Sequence, residues 1–218
     1  MSPSRLAASV LALITGFAAV WACSSSGGNG TGPGGTNVSL SGCITDNEAG
    51  TCSAQGCFCN RGNFGPDAAG CSFTCGTPPA EGGLQIDCAQ QYGCSGTCMQ
   101  GCEFNCAQGQ CALSVGAGSQ VDCAQAAGCT GTVGAGASVI CLQAGCTLTL
   151  GAGANVDCEQ AHSCDLTCTG DCTVNCQQAT ACSVHCTEGA DCGVSGFACN
   201  FMSCPDGLTQ VCGSAKCP

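Results

Sequence analysis

The chain has 218 residues, of which 29 are Cys and 35 are Gly, with 8% charged and 4% aromatic side chains. Side chains this small do not fill a conventional core, so cross-links must hold the fold, and so many thiols point to an oxidising, exported setting. The formal charge of -11, with Arg5, Arg61 and Lys216 the only fixed cations, sets nucleic acid aside as a partner and otherwise reads as surface solubility.

Arg5 followed by the apolar run 6–22 has the make-up of an export signal, too short and wrongly flanked for a membrane span. Val20, Trp21, Ala22 and Cys23 resemble the lipobox of bacterial lipoproteins. That resemblance implies cleavage after Ala22, acylation of Cys23 as the first mature residue, and attachment to the membrane through several acyl chains. Ser24 after the cysteine implies, by the same resemblance, the outer membrane. The segment 23–42, rich in Ser, Gly, Asn and Thr, reads as a flexible tether. Six cysteines follow (Cys43, Cys52, Cys57, Cys59, Cys71 and Cys75) with Gly and Pro between them and no strand periodicity, so 43–83 is expected to be a small disulfide-rich knot with a linker.

From 84 to 199 one unit recurs. Cys88, Cys106, Cys123, Cys141, Cys158 and Cys176 stand alternately 18 and 17 residues apart. Each is followed two residues later by a glutamine (Gln90, Gln108, Gln125, Gln143, Gln160, Gln178) and then by a second cysteine: Cys94, Cys111, Cys129, Cys146, Cys164, Cys182. An alternating strand comes next, as in Thr147-Leu148-Thr149-Leu150, then a turn that is commonly Gly-Ala-Gly. A second strand leads to the next anchor, with Phe104, Val121, Val139, Val156 or Val174 two residues before it. Two short strands and two tight turns per unit predict an all-β fold: a disulfide-stapled parallel β-solenoid of about six coils of 17–18 residues, preceded by the knot and closed by a disulfide-rich cap over 200–218. At about 4.8 Å per coil the stack would be about 29 Å long.

The repeat also predicts pairing. Cys98 with Cys102, Cys168 with Cys172 and Cys186 with Cys192 flank the turn between strands, whereas other units have Val115 and Ser119, Val133 and Ala137, or Leu150 and Ala154. Cysteines that come and go together belong to bonds inside one coil, and the anchor and second cysteines pair likewise around the opposite turn. Cys192 is left with two roles, closing that turn or serving as a further anchor. Cys199, Cys204, Cys212 and Cys217 belong to the cap, with pairing open. The glutamines are expected to face inward and stack their amides in a ladder.

Outward positions carry the candidate chemistry. Asp87, Asp122 and Asp157 alternate with Asn105 and Ile140, spacing acids by two coils, which relieves a charged ladder and is too far for shared Ca²⁺ ligation. Thr130 with Thr132 and Thr147 with Thr149, flanked by Ser95 with Thr97 and Ala112 with Ser114, resemble the ice-binding face of the cysteine-rich beetle antifreeze solenoids; Asp165, Ser183 and His185 interrupt the array. Thiolate metal binding is an alternative, but the spacings are those of strand turns and lack Cys-x-x-Cys knuckles, so disulfides and no metal are expected. His162 in a turn and His185 on a strand face stand without a nucleophile motif, and no enzyme and no cofactor are expected. In composition the chain resembles the cysteine-rich lipoproteins of myxobacteria. The expected function is a surface-anchored structural or adhesive module of the cell envelope, held in the membrane through acylated Cys23 and facing an unidentified envelope or extracellular partner. An ice- or ligand-binding solenoid is the alternative.

Overall fold

The computed structural model describes residues 43–45, 50–53, 56–59, 71–76, 84–88, 93–196 and 199–218, all within the compact unit Thr36–Pro218. The segments expected as export signal (1–22) and tether (23–42), with Cys23, and Gln90 lie outside the described residues.

All described elements are strands: β1 (Cys43–Thr45), β2 (Gly50–Ser53), β3 (Gly56–Cys59), β4 (Cys71–Cys75), β5 (Leu84–Asp87), β6 (Gly93–Gln100), β7 (Cys102–Asn105), β8 (Gln110–Ala117), β9 (Gln120–Asp122) and β10 (Gly128–Val133). They continue as β11 (Ser138–Ile140), β12 (Gly145–Leu150), β13 (Ala154–Asp157), β14 (Ser163–Cys168), β15 (Cys172–Asn175), β16 (Ala181–Cys186), β17 (Cys192–Ser195), β18 (Met202–Ser203) and β19 (Thr209–Gly213). Even-numbered strands from β4 to β16 stack in parallel as one sheet and odd-numbered strands from β3 to β17 as the other, so the chain is a parallel β-solenoid, as the repeat requires. Registers hold without slippage. Cys129 pairs with Cys111 and Cys146, and Val139 with Val121 and Val156.

Part of the segment expected as a knot stacks on the solenoid. Strand β3 pairs in parallel with β5, and β4 with β6, so Cys71 and Cys75 sit beside Cys94 and Cys98 as a rung of the same solenoid. Strands β1 and β2, antiparallel to β4 and β3, close the N-terminal side of both sheets. The repeat was hidden there because the connection 60–70 stretches the spacing between Cys59 and Cys71 well past that of later coils. At the other end the hairpin β18–β19 runs antiparallel to β16 and covers that edge of the first sheet only. Cys192 sits beside Cys172, which settles its role: it closes the turn and is no anchor.

The core is a narrow seam of Val, Leu, Ile, Phe and Cys at alternate positions. Small and large alternate across it. Gly96 leaves the space that the Phe104 ring fills from the opposite sheet, and a Cβ at 96 would fall on that ring. Corners are equally tight. In Gly134-Ala135-Gly136 the first glycine packs on the Gly116 backbone, leaving no room for a Cβ, and the last has φ 64°, where L side chains are disfavoured. The Gly136 N–H then donates to the Ala152 carbonyl at 2.9 Å, tying one corner to the next.

The inward glutamine ladder is also corrected. Gln108, Gln125, Gln143, Gln160 and Gln178 are exposed, and the following Ala126, Ala144, Ala161 and Ala179 are buried instead. Gln143, Gln160 and Gln178 take left-handed φ values of 58–59° at the corner, which turns their side chains outward and drops the alanine into the seam. A polar amide in so thin a core would need partners that the Cys and Val around it do not offer.

Candidate functional site

Two cysteine systems occupy the corners. Around one, Cys88–Cys94, Cys106–Cys111, Cys123–Cys129, Cys141–Cys146, Cys158–Cys164 and Cys176–Cys182 are joined with Cα–Cα distances of 6.0 to 6.5 Å. Around the other, Cys98–Cys102, Cys168–Cys172 and Cys186–Cys192 are joined at 6.1 to 6.5 Å. The cap adds Cys199–Cys212 and Cys204–Cys217 at 5.4 and 5.5 Å, a pairing that spacing alone left open. All lie inside the range a disulfide tolerates.

The outward face of the first sheet is a double column. One column runs Thr74, Thr97, Ser114, Thr132, Thr149, Thr167 and then His185, each beside the next in register. The other runs Ser72, Ser95, Ala112, Thr130, Thr147, Asp165 and Ser183. Hydroxyls link coils: Thr132 Oγ1 donates to Ser114 Oγ at 3.3 Å and Thr130 Oγ1 to the Cys111 carbonyl at 3.2 Å. Ser72 and Thr74 extend the face beyond its expected start. Their signal was legible as the same Ser-x-Thr after Cys71 as after Cys94. A shallow depression of about 290 Å³ lies over Gly96 and Gly131, where the sheet lacks side chains.

The three interrupting residues Asp165, Ser183 and His185 come together at the cap. They line a hollow of about 580 Å³ with Ser163, Thr209 and Lys216. His185 Nδ1 lies 2.9 Å from Thr209 Oγ1, and Thr209 Oγ1 donates to Asp206 Oδ2 at 2.6 Å, so the Thr209 hydroxyl links the ring to the carboxylate. Asp206 also accepts from the backbone N–H groups of Leu208 and Thr209. The Thr209 hydroxyl first, then these N–H groups and the facing His185, hold its carboxyl below the ordinary value. Asp206 and Thr209 went unseen in the sequence because only the reversal of β19 brings them to β16. His162 stays exposed in its corner, apart from this cluster.

On the second sheet Asp87, Asn105, Asp122, Ile140, Asp157 and Asn175 form the outward column in register. The acids do more than avoid one another. Asp122 and Asp157 each accept from the N–H two residues on, at 2.9 and 3.0 Å, as Asn175 does at 3.1 Å, which shapes the turn after the anchor cysteine. Amides hydrogen-bond carboxylates between coils here: Gln85 donates to Glu103 and Asn175 to Asp157, both at 3.0 Å. A groove of about 320 Å³ runs along this column between Gln85 and Ile140.

Fold and faces together define a class: a disulfide-stapled parallel β-solenoid with a hydroxyl-bearing sheet on one side and an amide–carboxylate sheet on the other. No family model, curated protein or solved structure matches this chain.

Proposed function

We propose that the chain is an exported lipoprotein, anchored in the cell envelope through acylated Cys23, whose solenoid serves as a durable structural and adhesive module with the hydroxyl face of the first sheet as its contact surface. The observation that carries this is the unbroken hydroxyl column from Thr74 to Thr167, uncharged on a chain whose net charge is -11. Such a row offers donors and acceptors at the coil repeat of about 4.8 Å with little desolvation cost, which suits an extended, uncharged, hydrogen-bonding partner. Two readouts test the two halves. Labelled palmitate should enter the wild type and be lost from Cys23→Ala, and retained label would remove the lipid anchor. Thr132→Glu with Thr149→Glu should weaken retention of the purified protein on cell envelopes about tenfold without altering its circular dichroism, and unchanged retention would remove this face as the contact.

A second reading, ice binding, is favoured by the same two-column regularity over Thr130, Thr132, Thr147 and Thr149. It requires thermal hysteresis at millimolar protein, and none there would remove it.

A further inference from the structure

Of the three bonds across the turn between the strands, the two near the C-terminal end stack on one another. Cys168–Cys172 and Cys186–Cys192 occupy consecutive coils, with Cys168 beside Cys186 and Cys172 beside Cys192 in register. The sulfurs of Cys168, Cys172 and Cys192 all lie within 4.8 Å of one another, the only such group of three among the described residues. Cys98–Cys102, the third bond of this type, has Val115 and Ser119 beside it on one side; on the other, Cys75 lies beside Cys98 but Leu84 lies beside Cys102, so no second bond across this turn stacks on it. Access differs too. The anchor and second cysteines are at most 5% exposed, whereas Cys192 is half-buried, on the edge strand that the β18–β19 hairpin leaves uncovered.

We propose that this stacked pair is a thiol–disulfide exchange site, entered at Cys192 by an external low-molecular-weight thiol, through which the two bonds inside coils convert to two bonds between coils. Neighbouring parallel strands put Cα atoms about 4.8 Å apart, inside the 4.4–6.8 Å a disulfide accepts, so Cys168–Cys186 and Cys172–Cys192 meet its Cα requirement with the strands where they are. The steps balance without any oxidant. The external thiolate attacks Cys192 Sγ, forming a mixed disulfide and releasing the Cys186 thiolate. Cys186 attacks Cys168 Sγ, joining the two and releasing the Cys172 thiolate. Cys172 attacks Cys192 Sγ, and the external thiolate leaves as it came. Two disulfides are present before and after, and the thiol is a catalyst.

The corner also selects the thiol. Asp171 precedes Cys172, Asp191 precedes Cys192, Glu188 lies in the 186–192 turn, and the Asp191 N–H donates to Asp171 Oδ1 at 2.9 Å, which holds these two aspartates side by side. The Asp171 and Asp191 carboxylates beside these cysteines, with Glu188 in the same turn, repel an anionic thiol and tolerate an aminothiol, whose ammonium offsets the thiolate.

The test uses the native, non-reduced protein with substoichiometric cysteamine, acid quench, alkylation and non-reducing peptide mapping. Cleavage before Asp171, Val174 and Asp191 places the four cysteines on separate peptides. Linked peptides carrying Cys168–Cys186 and Cys172–Cys192 are expected, with no net gain of free thiol and with Cys98–Cys102 unchanged. In Cys168→Leu with Cys172→Ala, which copies Leu150 and Ala154 of a neighbouring coil, the relay has no acceptor, and cysteamine should accumulate on Cys192 with Cys186 free. Native linkages after incubation, or cysteamine entering another disulfide first, would overturn the proposal. Cysteamine should act about tenfold faster than mercaptoethanesulfonate at low salt, the gap narrowing at about 0.5 M; equal rates would overturn the selectivity.

Discussion

Ser119 takes the place of a cysteine with one atom changed. It stands where the neighbouring coil has Cys102, is 1% exposed, and its Oγ accepts the Cys102 N–H at 3.2 Å, so a buried hydroxyl is satisfied where a sulfur would have been bonded. Asp206 is the residue on which a pH effect turns. Its carboxyl is held below the ordinary value by the Thr209 hydroxyl first and then by the N–H groups of Thr209 and Leu208. A lowered folded-state value means stabilisation that is complete above the unfolded value of about 3.9 and is lost as pH falls through the lowered one. Hydrogen exchange of the Leu208 and Thr209 amides should therefore exceed its intrinsic acid trend as pH drops below about 4. In Asp206→Asn that acid-dependent loosening should vanish, with faster exchange already at neutral pH. At the anchor turn, Asp122→Ala removes the acceptor for the Ala124 N–H and should cost about 1 kcal/mol, read as urea unfolding and as faster exchange of that amide.

At the scale of the element, each coil is two strands pinned at two corners, and the corners come in interchangeable kinds. Val115 with Ser119, Val133 with Ala137 and Leu150 with Ala154 fill the space that Cys98 with Cys102 bridges, and all six of these apolar side chains and hydroxyls are buried. Interchangeability makes a prediction about cross-links. Cys98→Val with Cys102→Ser imports the neighbouring corner and should fold normally, losing about 2 kcal/mol, the loop-closure value for so short a loop. Urea unfolding measures it. Loss of the fold would mean that this bond does more than restrict the unfolded chain. Glycine corners are less forgiving. Gly134→Ala would press a Cβ onto the Gly116 backbone and should cost about 1–3 kcal/mol in the same measurement.

Across the whole solenoid, each coil touches mainly the ones before and after it, and the ends differ. Antiparallel β1 and β2 close the N-terminal side, while β19 covers only the first sheet, which among the described residues leaves β17, beginning at Cys192, as an edge strand. A parallel stack in which Cys supplies so much of the seam has little apolar area to spare. Complete reduction without denaturant should therefore abolish the β signal in far-ultraviolet circular dichroism at 25 °C, and a reduced protein that kept that signal would show that packing alone suffices.

The 17–18-residue period determined the coil, its two strands and the alternation of inward Val and Cys, because side-chain direction alternates along a strand and a repeat that stacks must keep its register. The joint loss of Cys98 and Cys102 equivalents in other coils spoke to pairing for the same reason, since a bond needs both ends. Tertiary structure decided what periodicity does not reach. The rung β3–β4 was masked by the longer connection ahead of Cys71. The glutamines face outward because left-handed corner backbones turn them there and bury the next alanine. His185, an interruption when read along the chain, gains Thr209 and Asp206 only where β19 reverses direction, and a contact made by chain reversal leaves no period in a sequence.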